Sequence, residues 1–233
     1  MRTSGNIKFR STVACGIALF VLCACSGQFP TDPTKLKAAE EAYNKALLLD
    51  SLNQIEAWHA ANETGVADIL AAGRQAGSIE DAFSGTACKP TDELKTLWTW
   101  RDGGVGATPF VWYHDFLPLK DALSEYEWLR LNPLVQWDPR YVPIFAFEGE
   151  WFAAYCGQDS DSAGPIVHYF LEDGPRIVYV NLTVFMASMA EALHSGAVQW
   201  ENDAMTDDIR KMHVIHQRYN RGYDFPYHVP ENQ

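Results

Sequence analysis

Val142-Pro143-Ile144-Phe145-Ala146-Phe147-Glu148-Gly149-Glu150-Trp151-Phe152-Ala153-Ala154-Tyr155-Cys156, or VPIFAFEGEWFAAYC, is the stretch on which the fold turns. Two runs rich in aromatic and aliphatic residues flank Glu148-Gly149-Glu150. Such runs are strands, and a link this short joins them only as an antiparallel hairpin. Downstream, Ile166–Leu171 and Arg176–Val180 repeat the pattern across Glu172-Asp173-Gly174-Pro175, after the polar loop Gln158–Gly164. Upstream, PFVWYHDFL at 109–117 reads as a further strand. Hairpin links favour a meandering antiparallel sheet over alternating strand–helix units.

Helical patterns surround these strands. Leu36, Ala39, Tyr43, Ala46 and Leu47 recur at three- and four-residue spacing, and a second helical pattern runs from Asn53 to Ala72. Thr91-Asp92-Glu93 opens a helix with Leu94, Leu97 and Trp98 on one face, and Gly103-Gly104 reads as its stop. Asp121–Leu131 is helical in spacing, Asn181 caps a helix ending at Gly196, and Asp207–Tyr219 forms the last one. The expected class is α+β, with a meandering antiparallel sheet packed by flanking helices.

The first residues read as an address. Arg2, Lys8 and Arg10 precede an apolar run, Val13–Leu22, which is shorter than the ~20 residues a membrane span requires. Leu22-Cys23-Ala24-Cys25 resembles a bacterial lipobox, which implies cleavage before Cys25, lipidation there, and anchoring by acyl chains. Ser26 fits outer-membrane sorting, facing the periplasm. Cleavage removes three cations and no acid, taking the net charge from −12 to −15. An acidic chain of this kind is a poor partner for nucleic acid and a better one for basic proteins. Cys88 and Cys156 are then the remaining thiols in an oxidising compartment, either bonded to each other or buried separately. The expected organisation is a signal peptide at 1–24, a lipidated tether at 25–33, an N-terminal helix at 34–54, a main domain at 55–200 and a helix and tail at 201–233.

Motifs for reaction chemistry are weak. Gly103-Gly104-Val105-Gly106 lacks the following Gly-Lys-Ser/Thr of a phosphate loop. His213 and His216 share a helical spacing but have no third ligand nearby, and His59, His114, His168, His194 and His228 are scattered. Asp159 and Asp161 fall short of a calcium loop, and no nucleophile elbow is present. The expectation is no catalytic residue, no metal and no cofactor.

Four segments together resemble the SUKH superfamily, which includes a yeast cell-wall-assembly regulator and many bacterial immunity proteins. They are Lys89–Gly104 (KPTDELKTLWTWRDGG), Phe116–Leu123 (FLPLKDAL), Trp137–Ile144 (WDPRYVPI) and Asn181–Met186 (NLTVFM). The likeness spans roughly 55–200; Lys89 stands in place of the family's Leu, and Asn181 in place of its capping Ser. It implies a protein-binding module without shared catalytic residues. The expected role is immunity against a toxin in the cell envelope, the alternative is a wall-assembly regulator or scaffold, and an envelope hydrolase is the weakest alternative. Arg101, Asp102, Trp112, Glu148, Glu150, Asp159 and Asp161 are the residues expected to meet a partner.

Overall fold

The computed structural model describes residues 32–106, 109–157 and 163–229. Cys25, Asp159 and Asp161 lie outside them, as do the signal segment and the tether as far as residue 31. The chain divides into two units, Met1–Leu47 and Leu48–Gln233. In the first unit the described residues form the leading part of helix α1 (Pro33–Ala61), whose surface carries a Lys37–Glu41 ion pair.

Helix α1 is one continuous element where the sequence suggests two. No Gly or Pro interrupts it after Pro33, so nothing breaks it at the expected boundary between 54 and 55. From Leu48 onward it buries Leu48, Leu52, Ile55 and His59, a stripe at three- and four-residue spacing. It ends before Asn62-Glu63-Thr64-Gly65, where Glu63 and Gly65 take positive φ. The expected helix through Ala72 is replaced by a short helix α2 (Val66–Ile69) and strand β1 (Leu70–Ala72). Helix α3 (Ala76–Phe83) follows.

Helix α4 (Asp92–Trp100) buries Leu94, Leu97 and Trp98. The Thr91 hydroxyl accepts from the Leu94 amide and caps it, as such residues do. Its end differs from expectation. Arg101 is already extended, and Arg101–Gly104 form strand β2, paired antiparallel with β1. Gly103-Gly104 therefore do not stop the helix. Gly103, at φ 72°, permits a backbone crossing: a Cβ there would lie 2.2 Å from the Pro118 nitrogen.

The expected strand at 109–117 is two strands, β3 (Pro109–Val111) and β4 (His114–Phe116), turned at Trp112-Tyr113. Helix α5 (Leu119–Leu131) follows. Next come β5 (Tyr141–Phe147), β6 (Glu150–Tyr155), β7 (Ile166–Phe170) and β8 (Gly174–Tyr179). The strands lie in the order β3-β4-β5-β6-β7-β8, every neighbouring pair antiparallel. The fold is α+β, an antiparallel meander flanked by helices.

Alternation sorts the sheet's two faces. Phe145, Phe152 and their neighbours join a core with Phe110, Phe116, Tyr179 and Phe185. Trp151 and Tyr169 form a smaller cluster with Leu129 of α5 on the other face. Helix α6 (Leu182–His194) starts at Asn181, whose side chain accepts from the Val184 amide at 2.8 Å. The Glu93 carboxylate, reaching across from α4, accepts from the Leu182 and Thr183 amides and the Thr183 hydroxyl. A carboxylate at a helix N-terminus satisfies orphan amides and faces the positive end of the dipole. Burial nevertheless outweighs these bonds and raises the Glu93 pKa.

A hairpin absent from the sequence expectation, β9 (Val198–Glu201) and β10 (Ala204–Asp207), turns at Asn202-Asp203. Helix α7 (Ile209–Tyr219) is capped by Asp208. The tail beyond it is held to β8: the Val180 amide donates to Asn220 Oδ1, and the Arg176 guanidinium donates to the Pro226 carbonyl. Cys88 and Cys156 are joined in a disulfide.

His59 shows what burial does to a titratable core residue. Its ring is fully enclosed, with Nε2 3.0 Å from the Phe110 carbonyl and Nδ1 2.9 Å from the Thr64 hydroxyl. Nε2–H donates to the carbonyl, so Nδ1 accepts from the threonine. Burial, opposed by the Phe110 bond, lowers its pKa to about 4. A lowered histidine contributes stability that is present above its unfolded pKa and is lost as pH falls below it. Acidification from about pH 7 to about pH 5 is therefore expected to remove about 2 kcal/mol through this residue. Denaturant melts at both pH values test this; an unchanged pH slope in a folded His59→Gln variant would refute the assignment to His59.

Candidate functional site

Three hairpin turns fall at the same end of the sheet: Trp112-Tyr113 between β3 and β4, Glu148-Gly149 between β5 and β6, and 171–173 between β7 and β8. Outside them lies an apolar rim. Tyr113 is 39% exposed, Phe147 38% and Leu171 47%. The Tyr113 and Phe147 rings meet edge to face with centroids 4.9 Å apart. Glu148 is exposed beside them.

Inside the same end lie His114, Glu150 and His168, all buried. Strand register brings them together. His168 is opposite Phe152, and Glu150 lies two residues before Phe152 on the same face. His168 Nε2 donates to Glu150 Oε1 at 2.5 Å, and His114 Nε2 is 3.4 Å from that oxygen. The Tyr227 hydroxyl, arriving from the tail, donates to it at 3.1 Å. The Tyr113 hydroxyl lies 3.4 Å from Oε2.

The cluster's electrostatics follow from enclosure and contact. Burial alone would raise the Glu150 pKa, but the imidazoles of His114, 3.4 Å away, and His168, at 2.5 Å, outweigh it and hold the carboxyl below its ordinary range. For His114 burial wins over the pull of Glu150 and lowers its pKa, so this ring stays neutral near neutral pH. His168, at 2.5 Å, is the nearer of the two rings to Glu150 Oε1. Burial pushes the Tyr113 phenol up to about 12 and raises Tyr227 well above the ordinary phenol value, so both remain proton donors.

The residues expected to meet a partner separate into three groups. Glu148 is at the surface of the hairpin end. Trp112 and Glu150 are interior: the Trp112 ring packs between Phe152, Phe185 and Tyr227, and Glu150 is enclosed by the histidines. Neither presents a surface, because each sits at the inward side of a tight turn. Arg101 and Asp102 do not pair with each other. Arg101 bonds Glu56 at 2.8 Å, while Asp102 accepts from Arg74 Nε at 2.7 Å and from the Leu119 amide at 2.9 Å. Asp102 thereby holds the first turn of α5.

His114 and His168 look scattered along the sequence and meet in space. The signal that could have found them is polar residues at inward positions of strands otherwise made of aromatic and aliphatic residues. His213 and His216 do not converge on an ion: His216 Nε2 donates to the Val178 carbonyl at 2.7 Å, and the His213 ring packs near Phe225. No helix among the described residues is long and apolar enough to cross a membrane. No protein-family model matches the chain, and no curated protein matches it.

Proposed function

We propose that this chain is a protein-binding module of the SUKH type, held at a bacterial envelope membrane through a lipid on Cys25, and that it neutralises a basic toxin by covering it. The observation that carries the reading is the hairpin end of the sheet. Tyr113, Phe147 and Leu171 form an exposed apolar rim there, and the turns bearing them also contain Glu148, Glu172 and Asp173. Aromatic anchors ringed by polar residues are the arrangement that supplies most binding energy at protein interfaces. A chain of net charge −12, or −15 once the signal segment is removed, adds attraction to a basic partner and speeds its encounter. The four segments resembling SUKH domains lie within this α+β framework. Asp102 and Asn181, both from those segments, hold the starts of α5 and α6.

Crosslinking pull-down of the full chain from its own membranes tests the reading. The expected result is a basic protein partner, recovered less by a Tyr113→Ala, Phe147→Ala double variant. Recovery of a wall-synthesis protein would favour the assembly-regulator alternative, and turnover of wall fragments without a protein partner would overturn binding altogether. Palmitate labelling that persists in Cys25→Ala would refute the anchor.

A further inference from the structure

We propose that His114, Glu150 and His168 bind one first-row divalent transition ion of the Zn²⁺ class. The site is distinct from the partner-binding rim and stands whether or not that surface binds a toxin. Each residue offers one ligand atom, and the three atoms lie within 4.8 Å of one another. Two imidazoles and one carboxylate are the donors zinc takes at many sites, whereas calcium and magnesium prefer oxygen alone.

A second observation points at a missing ligand. His114 is fully buried, and neither of its ring nitrogens has a hydrogen-bond partner among the described residues. Leaving such a group unpaired costs about 1–3 kcal/mol, so interiors seldom keep one. An ion accepted by His114 Nε2 removes that cost at the atom facing Glu150.

The spacing is close to what an ion needs. Two ligands bound at ~2.0–2.1 Å in a tetrahedron stand about 3.3 Å from each other. His114 Nε2 is already 3.4 Å from Glu150 Oε1. His168 Nε2, at 2.5 Å, shares a proton with that oxygen. On binding, the ion takes the place of this proton, which moves by way of solvent to the unpartnered Nδ1 of the same ring, and the Nε2 and Oε1 atoms separate by under about 1 Å. The Tyr227 hydroxyl, 3.1 Å from the same oxygen, stands beside the three and can complete the shell or orient a water that does. Tyr113, partly exposed over the cluster, marks the way in from solvent.

The test is calorimetric titration of the chelator-treated full chain with Zn²⁺ near neutral pH. One ion per chain is expected, with affinity that falls on acidification, because protons compete with the ion for the same ligand atoms. Glu150→Gln, close in shape, is expected to weaken binding by about a hundredfold or more. His213→Ala, remote from the cluster, is expected to leave it unchanged. Absence of stoichiometric binding to the wild-type chain, or undiminished binding by folded Glu150→Gln, would overturn the proposal. Should Glu150→Gln not fold, Co²⁺ in the wild-type chain decides: an intense four-coordinate visible spectrum supports the site, and a weak octahedral one refutes it.

Discussion

Loss of the Cys88–Cys156 bond is expected to cost about 4 kcal/mol of unfolding free energy, from the chain-entropy of the closed loop. The two cysteines are separated by 68 positions, a span that contains α4, β2 to β6 and α5. Opening it frees the unfolded chain to explore far more conformations, while the folded contacts stay in place. The double variant Cys88→Ala, Cys156→Ala isolates this effect. A single substitution also strands a thiol at a fully buried position, since Cys156 has no exposure. Denaturant melts of the wild-type chain with and without reductant, beside the double variant, measure the change. A loss under about 1 kcal/mol would show that the unfolded chain gains little freedom when the loop opens.

Gly103→Ala is expected to destabilise by about 2–5 kcal/mol, or to prevent folding outright. Two costs add. The residue sits at φ 72°, where an alanine is strained, and its Cβ would overlap the Leu117–Pro118 backbone, 2.2 Å from the Pro118 nitrogen. Backbone cannot swing aside as a side chain can. Gly104→Ala provides the contrast: its Cβ would meet the Ile69 side chain at 3.4 Å and backbone no nearer than the Phe116 carbonyl at 4.0 Å. Thermal melts of the two variants should differ widely. Equal stability would refute the crossing at Gly103 as the cause.

The sheet was legible because its two largest hairpins announce themselves. Short turn-forming links separate runs of β-prone residues, and the strands at 141–155 and 166–179 fall where those runs predict. The caps were legible too: Thr91 and Asn181 have the side chains that caps require. Other turns were hidden. Trp112 takes φ 49° without being Gly, Asn or Asp, and nothing local marks the break between β3 and β4. Packing of its ring against Phe152 and Phe185 stabilises that turn, and such packing is a tertiary fact. The β9–β10 hairpin carried a local sign, Asn202-Asp203, both at positive φ as tight hairpin turns require. Its strands, four residues each, are too short for alternation alone to mark them.

The candidate site was the least legible part. Inward-facing alternation could place His168 and Glu150 on one face, but only the register of β6 against β7 makes them neighbours. Arg101-Asp102, adjacent in sequence, serve different helices, because successive side chains of an extended segment point to opposite sides.

The contact between Tyr227 and Glu150 spans 77 positions, and it makes the tail a cover that can be laid down last in folding. While the segment bearing Tyr227 is undocked, His114, Glu150 and His168 can come together without that cover. During that interval the inner end of the sheet is open on the tail side as well as past Tyr113. Once the tail docks on β8, only the side at Tyr113 is left. Whatever is to be enclosed there should therefore enter faster before docking than after it.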